Sequence, residues 1–289
     1  MEQNPSGDSE DSWGPARHHP FNPQFRDNTC RYLRRGQCHQ EKLCTLCCAP
    51  SHVHRSASAQ AAADQAAEFT VVPAAQAVLL PANVTMEQGA CLGIPGITAH
   101  RAVHAAGPVS GRTVLVQGAA GSVGLCAVQL ARHAGAHVLG TIRTPAEEQT
   151  ARQAGAHEVL LNDAELPAHV KALAPERIDH IIEVAFGANI ERDVELLRMG
   201  GSIATYATNA AAPTIPFWQM VFKNIQLFFL GSDDFTPEAK AAAARDINAA
   251  LEAGWSGFAI GERIPLSEIA RAHELAEHPQ HPGRVVVTL

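Results

Sequence analysis

Thr113-Val-Leu-Val-Gln-Gly118-Ala-Ala-Gly121-Ser-Val-Gly124 is the stretch whose reading decides the fold. Thr113 to Gln117 is a short apolar run that reads as a buried strand. Ser122 to His133 reads as a helix, with Val123, Ala127, Val128, Leu130 and Ala131 on its apolar side. Three glycines stand at the join. Gly118 and Gly121 permit a tight turn and let the backbone come close to a pyrophosphate. Gly124 lets the helix pack against the strand. The helix start at Ala120, Ser122 and Val123 offers N–H groups without partners and the positive end of the helix dipole. The same glycines also suit a tight turn that binds nothing, so the surrounding pattern has to choose.

Downstream, strand and helix signals alternate. The strands are Ala136–Ile142, Glu158–Leu161, Ile178–Val184, Ser202–Tyr206 and Asn224–Leu230. The helices between them are Ala146–Ala154, Ala164–Leu173 and Asn189–Met199, the last stopped by Gly200-Gly201. With Thr113–Gln117 this makes six strands joined by helices, the pattern of βαβ units. The expected fold class is α/β, a doubly wound parallel Rossmann sheet. In that setting the glycine turn reads as a dinucleotide site. Upstream, Glu68–Pro73 and Val78–Pro81 are short strand-like pieces. Thr85 and Gln88 form a capping box, and the helix they open is interrupted at Gly93–Gly96 and resumes over Thr98–His104. Downstream lie a helix over Thr236–Glu252, with Thr236 as cap and Pro237 at its first position, an apolar piece at Ile264–Leu266, a helix near Ser267–Glu277 and a last strand, Arg284–Leu289.

The second strand speaks to the choice of cofactor. NAD sites place an acid at its end, about 20 residues after the glycines, to accept from the ribose 2′-hydroxyl. Here the strand runs out in Thr141-Ile-Arg143-Thr144, an arginine and no acid. A 2′-phosphate would pair with Arg143, so NADPH is expected over NADH; otherwise Arg143 is an ordinary solvated charge.

The chain has 289 residues, 46% of them hydrophobic, and a formal net charge of −7. That acidic balance argues against a whole-chain nucleic-acid binder. No run of about 18 uncharged apolar residues occurs, and the acidic start at Met1–Gly14 lacks the apolar core of a secretory signal. A cytoplasmic location is expected. Five of the seven cysteines, Cys30, Cys38, Cys44, Cys47 and Cys48, crowd one stretch. An odd count without a secretion signal reads poorly as a disulfide framework.

Ala67–Pro73, Gln88–Ala99, Gln117–Gly124, Ala127–Ala131, Gly155-Ala-His157 and Gly283-Arg-Val285 together resemble the zinc-independent quinone oxidoreductases, the zeta-crystallin type of the medium-chain dehydrogenase/reductase superfamily. The resemblance implies a GroES-like β-domain beside the Rossmann domain, a homodimer or homotetramer, and metal-free hydride transfer from NADPH to a quinone or activated enone. It places Thr98 at the nicotinamide and Ala120, Gly121, Ser122 and Val123 at the pyrophosphate. Arg143 and Asn162 fall by the adenosine, and Asn189, Tyr206 and Ala207 line the cleft. Phe229, Leu230 and Gly231 flank the nicotinamide, and Arg284 reaches a phosphate. No Gly-His-Glu zinc signature occurs, in keeping with an expected absence of metal.

The first part of the chain departs from that family. Only Asn4-Pro5 echoes it there. The expected organisation is an atypical Cys-rich segment over 1–58, a partial GroES-like catalytic domain from 59–95 and 232–289, and a dinucleotide domain over 96–231. Ser6–Ala66 reads as a frame-shifted or alternatively spliced replacement of the family segment, which translation of the gene in its other frames would test. Cys30, Cys38, Cys44 and Cys48, with Cys47, His52 and His54, have the look of zinc ligands in a CCCH-type finger, with Cys48 where the histidine belongs; incidental thiols are the plainer reading. Two other functions remain open: an NADPH binder with impaired catalysis, and an RNA-associated protein using the arm with Arg31, Tyr32, Arg34 and Arg35. Cys91 and Cys126 are expected to be packing residues, as are Asp179, Glu183 and His157 structural ones. Phe217, Trp218, Phe222, Phe228 and Phe229 read as core or subunit interface, with a roof over the nicotinamide as a further option.

Overall fold

A computed structural model describes residues 77–289, except 232–234, 256–257, 279 and 281–282, and the backbone of three two-residue strands upstream. Thr29–Cys30 pairs antiparallel with Val72–Pro73, and Leu43–Cys44 with Val78–Leu79. The expectations for the cysteine arm and its side chains lie outside the described residues.

Six parallel strands make the central sheet: β1 (Thr113–Val116), β2 (His137–Ile142), β3 (Glu158–Leu161), β4 (Ile178–Glu183), β5 (Leu197–Thr205) and β6 (Gln226–Phe229). Their spatial order is β6-β5-β4-β1-β2-β3, the doubly wound arrangement expected from the sequence. Two-sided burial follows from the helices on both faces: Leu115, Leu139, Ile181 and Ile182 are wholly buried, each stabilising by roughly 1.5–3 kcal/mol.

Helix α1 (Met86–Ala90) begins with the predicted capping box, in which Thr85 Oγ1 accepts from Gln88 N and Gln88 Oε1 from Thr85 N. The break expected at Gly93–Gly96 does not occur. Those residues are the first turn of α2 (Gly93–His104), and the chain pauses only at Cys91–Leu92. Pro95 fits this place because a first helical turn needs no N–H from it. Helix α3 (Ser122–His133) has the predicted bounds. α4 (Glu148–Gln153) follows a short 3₁₀ turn, and α5 (Leu166–Leu173) and α6 (Phe186–Leu196) complete the crossovers. Gly200-Gly201, expected to stop a helix, do not: the helix ends at Leu196 and they lie inside β5, where Gly200 has φ +70° and the ladder to β4 shifts register. A left-handed residue at a bulge is a glycine's place.

Beyond α7 (Phe217–Phe222) and β6 come α8 (Pro237–Glu252), β7 (Ile260–Pro265), α9 (Ile269–Glu277) and β8 (Arg284–Thr288). Thr236 caps α8 as predicted, its hydroxyl accepting from Ala239 N at 3.2 Å. β7 and β8 pair in parallel around a small core of Ile264, Ala272 and Leu275. α8 instead packs back onto α2 and α3, its Ile247 and Leu251 sharing the main core with Ala99, Val103 and Ala127. Cys91 and Cys126 are buried free thiols in that core, as expected, and burial pushes both pKa values up.

Candidate dinucleotide site

All six strands are parallel, so their carboxyl ends share one edge of the sheet. The order reverses between β1 and β4, and a crevice at such a reversal is where ligands bind in this architecture. Gly118 follows β1 with φ +68°, a value that favours glycine. A Cβ on Gly124 would lie 2.1 Å from Gly118 O and 3.0 Å from Ala119 Cα, so only a hydrogen there lets α3 reach the turn. Gly121 caps α3 with extended backbone, and the first helical bond inside the turn is Leu125 N to Gly121 O, 2.8 Å. The earlier N–H groups of α3 therefore face outward, where an anion is favoured. Arg284, arriving on β8, donates to Ser122 Oγ at 2.5 Å and lies 5.7 Å from the Phe258 ring. Residues 162 positions apart thus place a fixed cation at the helix start.

Beneath the turn runs a buried polar chain. Gly118 N donates to Thr141 Oγ1 (3.1 Å), and that hydroxyl donates to Gln117 Oε1 (2.6 Å). Gln117 Nε2 donates to Asp193 Oδ1 at 2.7 Å. Asp193 and Glu183, both fully buried, face each other. Burial first, and then the neighbouring Glu183, raise the Asp193 pKa well above the usual carboxylate range. Two carboxylates cannot both stay charged in such a place, so Asp193 is held in its neutral form. Glu183 in turn accepts from Ala185 N and from Asn189 Nδ2, the latter at 3.1 Å. Arg192 donates to Asn189 Oδ1 (2.8 Å) and to Asn162 Oδ1. One network therefore ties together the ends of β1, β2, β3 and β4.

The expected site residues sort accordingly. Gly118, Ala120, Gly121, Ser122, Val123, Gly124 and Arg284 come together where β1 turns into α3. Asn162 and Asn189 belong to the network under the cleft, with Asn189 4% exposed. Tyr206 and Ala207 follow β5, and Phe229, Leu230 and Gly231 lie at the end of β6. Burial, and after it Glu183, hold the Tyr206 phenol above its usual pKa range. Thr98 sits in the middle of α2, 5% exposed. Arg143 follows β2 with its side chain 84% exposed.

One residue was missed. The strand-end reading found no acid near Arg143, but the 3₁₀ turn opened by Pro145 brings Glu147 back: its carboxylate accepts from Arg143 N (2.8 Å) and pairs with the guanidinium at 3.3 Å. The signal was a spacing of four residues. Asp179 and His157 are structural, as expected. Asp179 accepts from Thr113 N at 2.8 Å and from Arg198, and His157 Nδ1 accepts from Val138 N at 3.0 Å. Of the aromatic stretch only Phe228 packs on the core; Phe217, Trp218, Phe222 and Phe229 are all more than half exposed.

Known proteins share this architecture. Residues 122–245 match a family described as "Zinc-binding dehydrogenase". The quinone oxidoreductase of Lama guanicoe is 33% identical over 231 residues, 77% of this chain and 68% of that protein. The chain belongs to the quinone oxidoreductase family. A mycobacterial quinone oxidoreductase structure matches with a TM-score of 0.72 at 27% identity, covering 78% of this chain and 71% of that one. Another mycobacterial structure, complexed with NADPH, matches with a TM-score of 0.67 at 26% identity over the same shares. This family member is an oxidoreductase of zeta-crystallin-like type that spans about two thirds of the Lama relative's length.

Proposed function

We propose that the chain binds NADPH across the carboxyl edge of its sheet and reduces a quinone or an activated enone without a catalytic metal. The observation that carries this is the junction of Arg284 with the head of α3: backbone N–H groups and a guanidinium converge where a pyrophosphate would lie, over a floor fixed by the Thr141–Gln117–Asp193–Glu183 chain. The cradle fits the group, since the helix can reach the turn only because Gly124 has no side chain. The bound nicotinamide would supply the hydride. The protein's own part is to hold the phosphates at Ala120, Gly121, Ser122, Val123 and Arg284 and to keep Thr98 and Tyr206 beside the cleft. Positioning and exclusion of water supply much of the rate in such a site.

NADPH over NADH rests on Arg143, whose exposed guanidinium can swing from Glu147 to a 2′-phosphate; the fit is a contest between those two anions. A homodimer or homotetramer is supported by the exposed aromatic face of α7 and the edge strand β6. The cytoplasmic location belongs to the same reading, and no described helix is long and apolar enough to cross a membrane.

A second reading has its own support. The match covers 77% of this chain and 68% of the Lama relative, so part of each lies outside it, and a cofactor binder without turnover is the alternative. NADPH titration followed by addition of a quinone separates the two. Quenching on binding and then loss of nicotinamide absorbance supports the reductase. Binding with no oxidation above the uncatalysed rate removes it in favour of the binder.

A further inference from the structure

Helix α2 carries His100 and His104 one turn apart, so both rings leave the same face. Asp246, on α8, meets them from the facing helix. His100 Nε2 lies 2.7 Å from Asp246 Oδ2, and the two imidazole centroids are 4.7 Å apart. One donor atom from each of the three residues falls within 4.8 Å of the other two. None of these residues takes part in the dinucleotide turn. His100 is 7% exposed, whereas Asp246 keeps half its side chain in solvent.

We propose that His100, His104 and Asp246 bind a divalent cation of the zinc class and clamp α2 to α8. Two imidazoles and a carboxylate are borderline ligands that suit Zn²⁺ and Co²⁺ better than the oxygen-seeking Mg²⁺ or Ca²⁺. Zinc bonds of about 2.0–2.2 Å in a tetrahedron place ligand atoms roughly 3.3–3.5 Å apart. The donor atoms lie within 4.8 Å of one another, so the wider pairs have little more than about 1 Å to close. The His100–Asp246 hydrogen bond opens slightly, and the proton on Nε2 leaves or moves to Nδ1 as the cation takes its place. Three protein ligands leave a fourth position for water, and the exposed side of Asp246 gives the ion its way in. The clamp joins the helix that carries Thr98 to the segment that returns from beyond β6. It is separate from the nicotinamide chemistry and from the cysteine arm.

The test uses the full chain loaded with Co²⁺ and read by optical absorption and by metal analysis. Thiolate ligands of the arm announce themselves by sulfur-to-cobalt charge transfer; the clamp shows only ligand-field bands. His104→Gln and Asp246→Asn, both at positions that tolerate a polar side chain, are compared with the parent. Loss of one thiolate-free equivalent per chain in each variant, or weakening of its affinity by about tenfold or more, supports the clamp. The metal-free variants should unfold at the parent's midpoint, and added Zn²⁺ should raise the midpoint of the parent alone. Unchanged uptake in both variants, or a parent whose only bound cobalt shows thiolate absorption, overturns it.

Discussion

At the scale of single residues, the turn after β1 tolerates almost no change. Gly124→Ala would drive a methyl into Gly118 O at 2.1 Å. We expect it to cost roughly 1–3 kcal/mol in denaturant unfolding and to lose most NADPH affinity in a fluorescence titration; affinity unchanged would mean the turn holds no phosphate. Arg143 and Glu147 set a second experiment. Arg143→Ala should weaken NADPH about tenfold or more while leaving NADH nearly alone, since a guanidinium–phosphate pair contributes on the order of 1.5–3 kcal/mol. Glu147→Gln should move the preference the other way, toward NADPH, by removing the competing anion. Equal effects on both cofactors would show that neither residue faces the 2′ position. The glycines were legible because their chemistry is local. Glu147 was not, because a strand-end rule looks one or two residues past the strand and the 3₁₀ turn at Pro145 folds the acid back from five residues past Ile142.

Whole elements were read best where caps and periodicity agreed. α3 and α8 have the bounds that Ser122–His133 and Thr236-Pro237 announce, because a helix start is written in its own side chains. β5 and β7 were read short or missed. Gly200-Gly201 look like a stop, and Gly261-Glu-Arg263 has no strand-like alternation; both become strands because β4 and β8 supply hydrogen bonds that sequence pattern does not display. The buried chain under the cleft was equally hidden, since it joins Thr141, Gln117 and Asp193 from three different elements. β4 also carries a pH-sensitive group. His180 is fully buried, with Nε2–H donating to Ala102 O at 2.8 Å and Nδ1 accepting from Ser202 Oγ at 2.7 Å. Burial, foremost, holds its folded-state pKa below the ordinary value near 6.5. Between those two values the unfolded chain binds a proton that the folded one refuses. His180 therefore contributes stability that is full above about pH 6.5 and is lost as pH falls through the folded value, by at most about 1.4 kcal/mol per pH unit. Asp193, with its raised pKa, acts in the opposite sense, gaining stability as pH falls toward the usual carboxylate range. Comparing parent with His180→Gln at about pH 7.5 and about pH 5.5 isolates the histidine. The variant should lose less stability over that interval; identical slopes would mean that His180 does not titrate there.

At the scale of the whole molecule, the described residues leave the β6 edge of the sheet open. Among the described residues β6 pairs with β5 alone, and parallel sheets are ordinarily covered on faces and edges. Beside that edge α7 exposes Phe217, Trp218 and Phe222, 55%, 66% and 71% accessible, with Phe229 of β6 at 70%. The rings of α7 pack against one another, Phe217 edge-on to Trp218 at 5.3 Å and Trp218 stacked on Phe222 at 5.9 Å, so the three form one continuous face. A contiguous aromatic patch of this kind is unusual on a monomer. A second copy is the occupant we favour, because a two-fold axis beside an edge strand buries the same patch on both chains at once. Light scattering behind size exclusion should then give a dimer or tetramer at micromolar concentration. The double change Trp218→Ser and Phe222→Ser should shift it to monomer while moving the unfolding free energy of the chain by less than about 1 kcal/mol, since exposed side chains contribute little to the fold itself. A parent that runs as a monomer, or a variant that keeps the parent's mass, would leave the aromatic face without this role and return it to the alternative of a cover for the nicotinamide, which Phe229 at the cleft end of β6 alone among these residues is placed to provide.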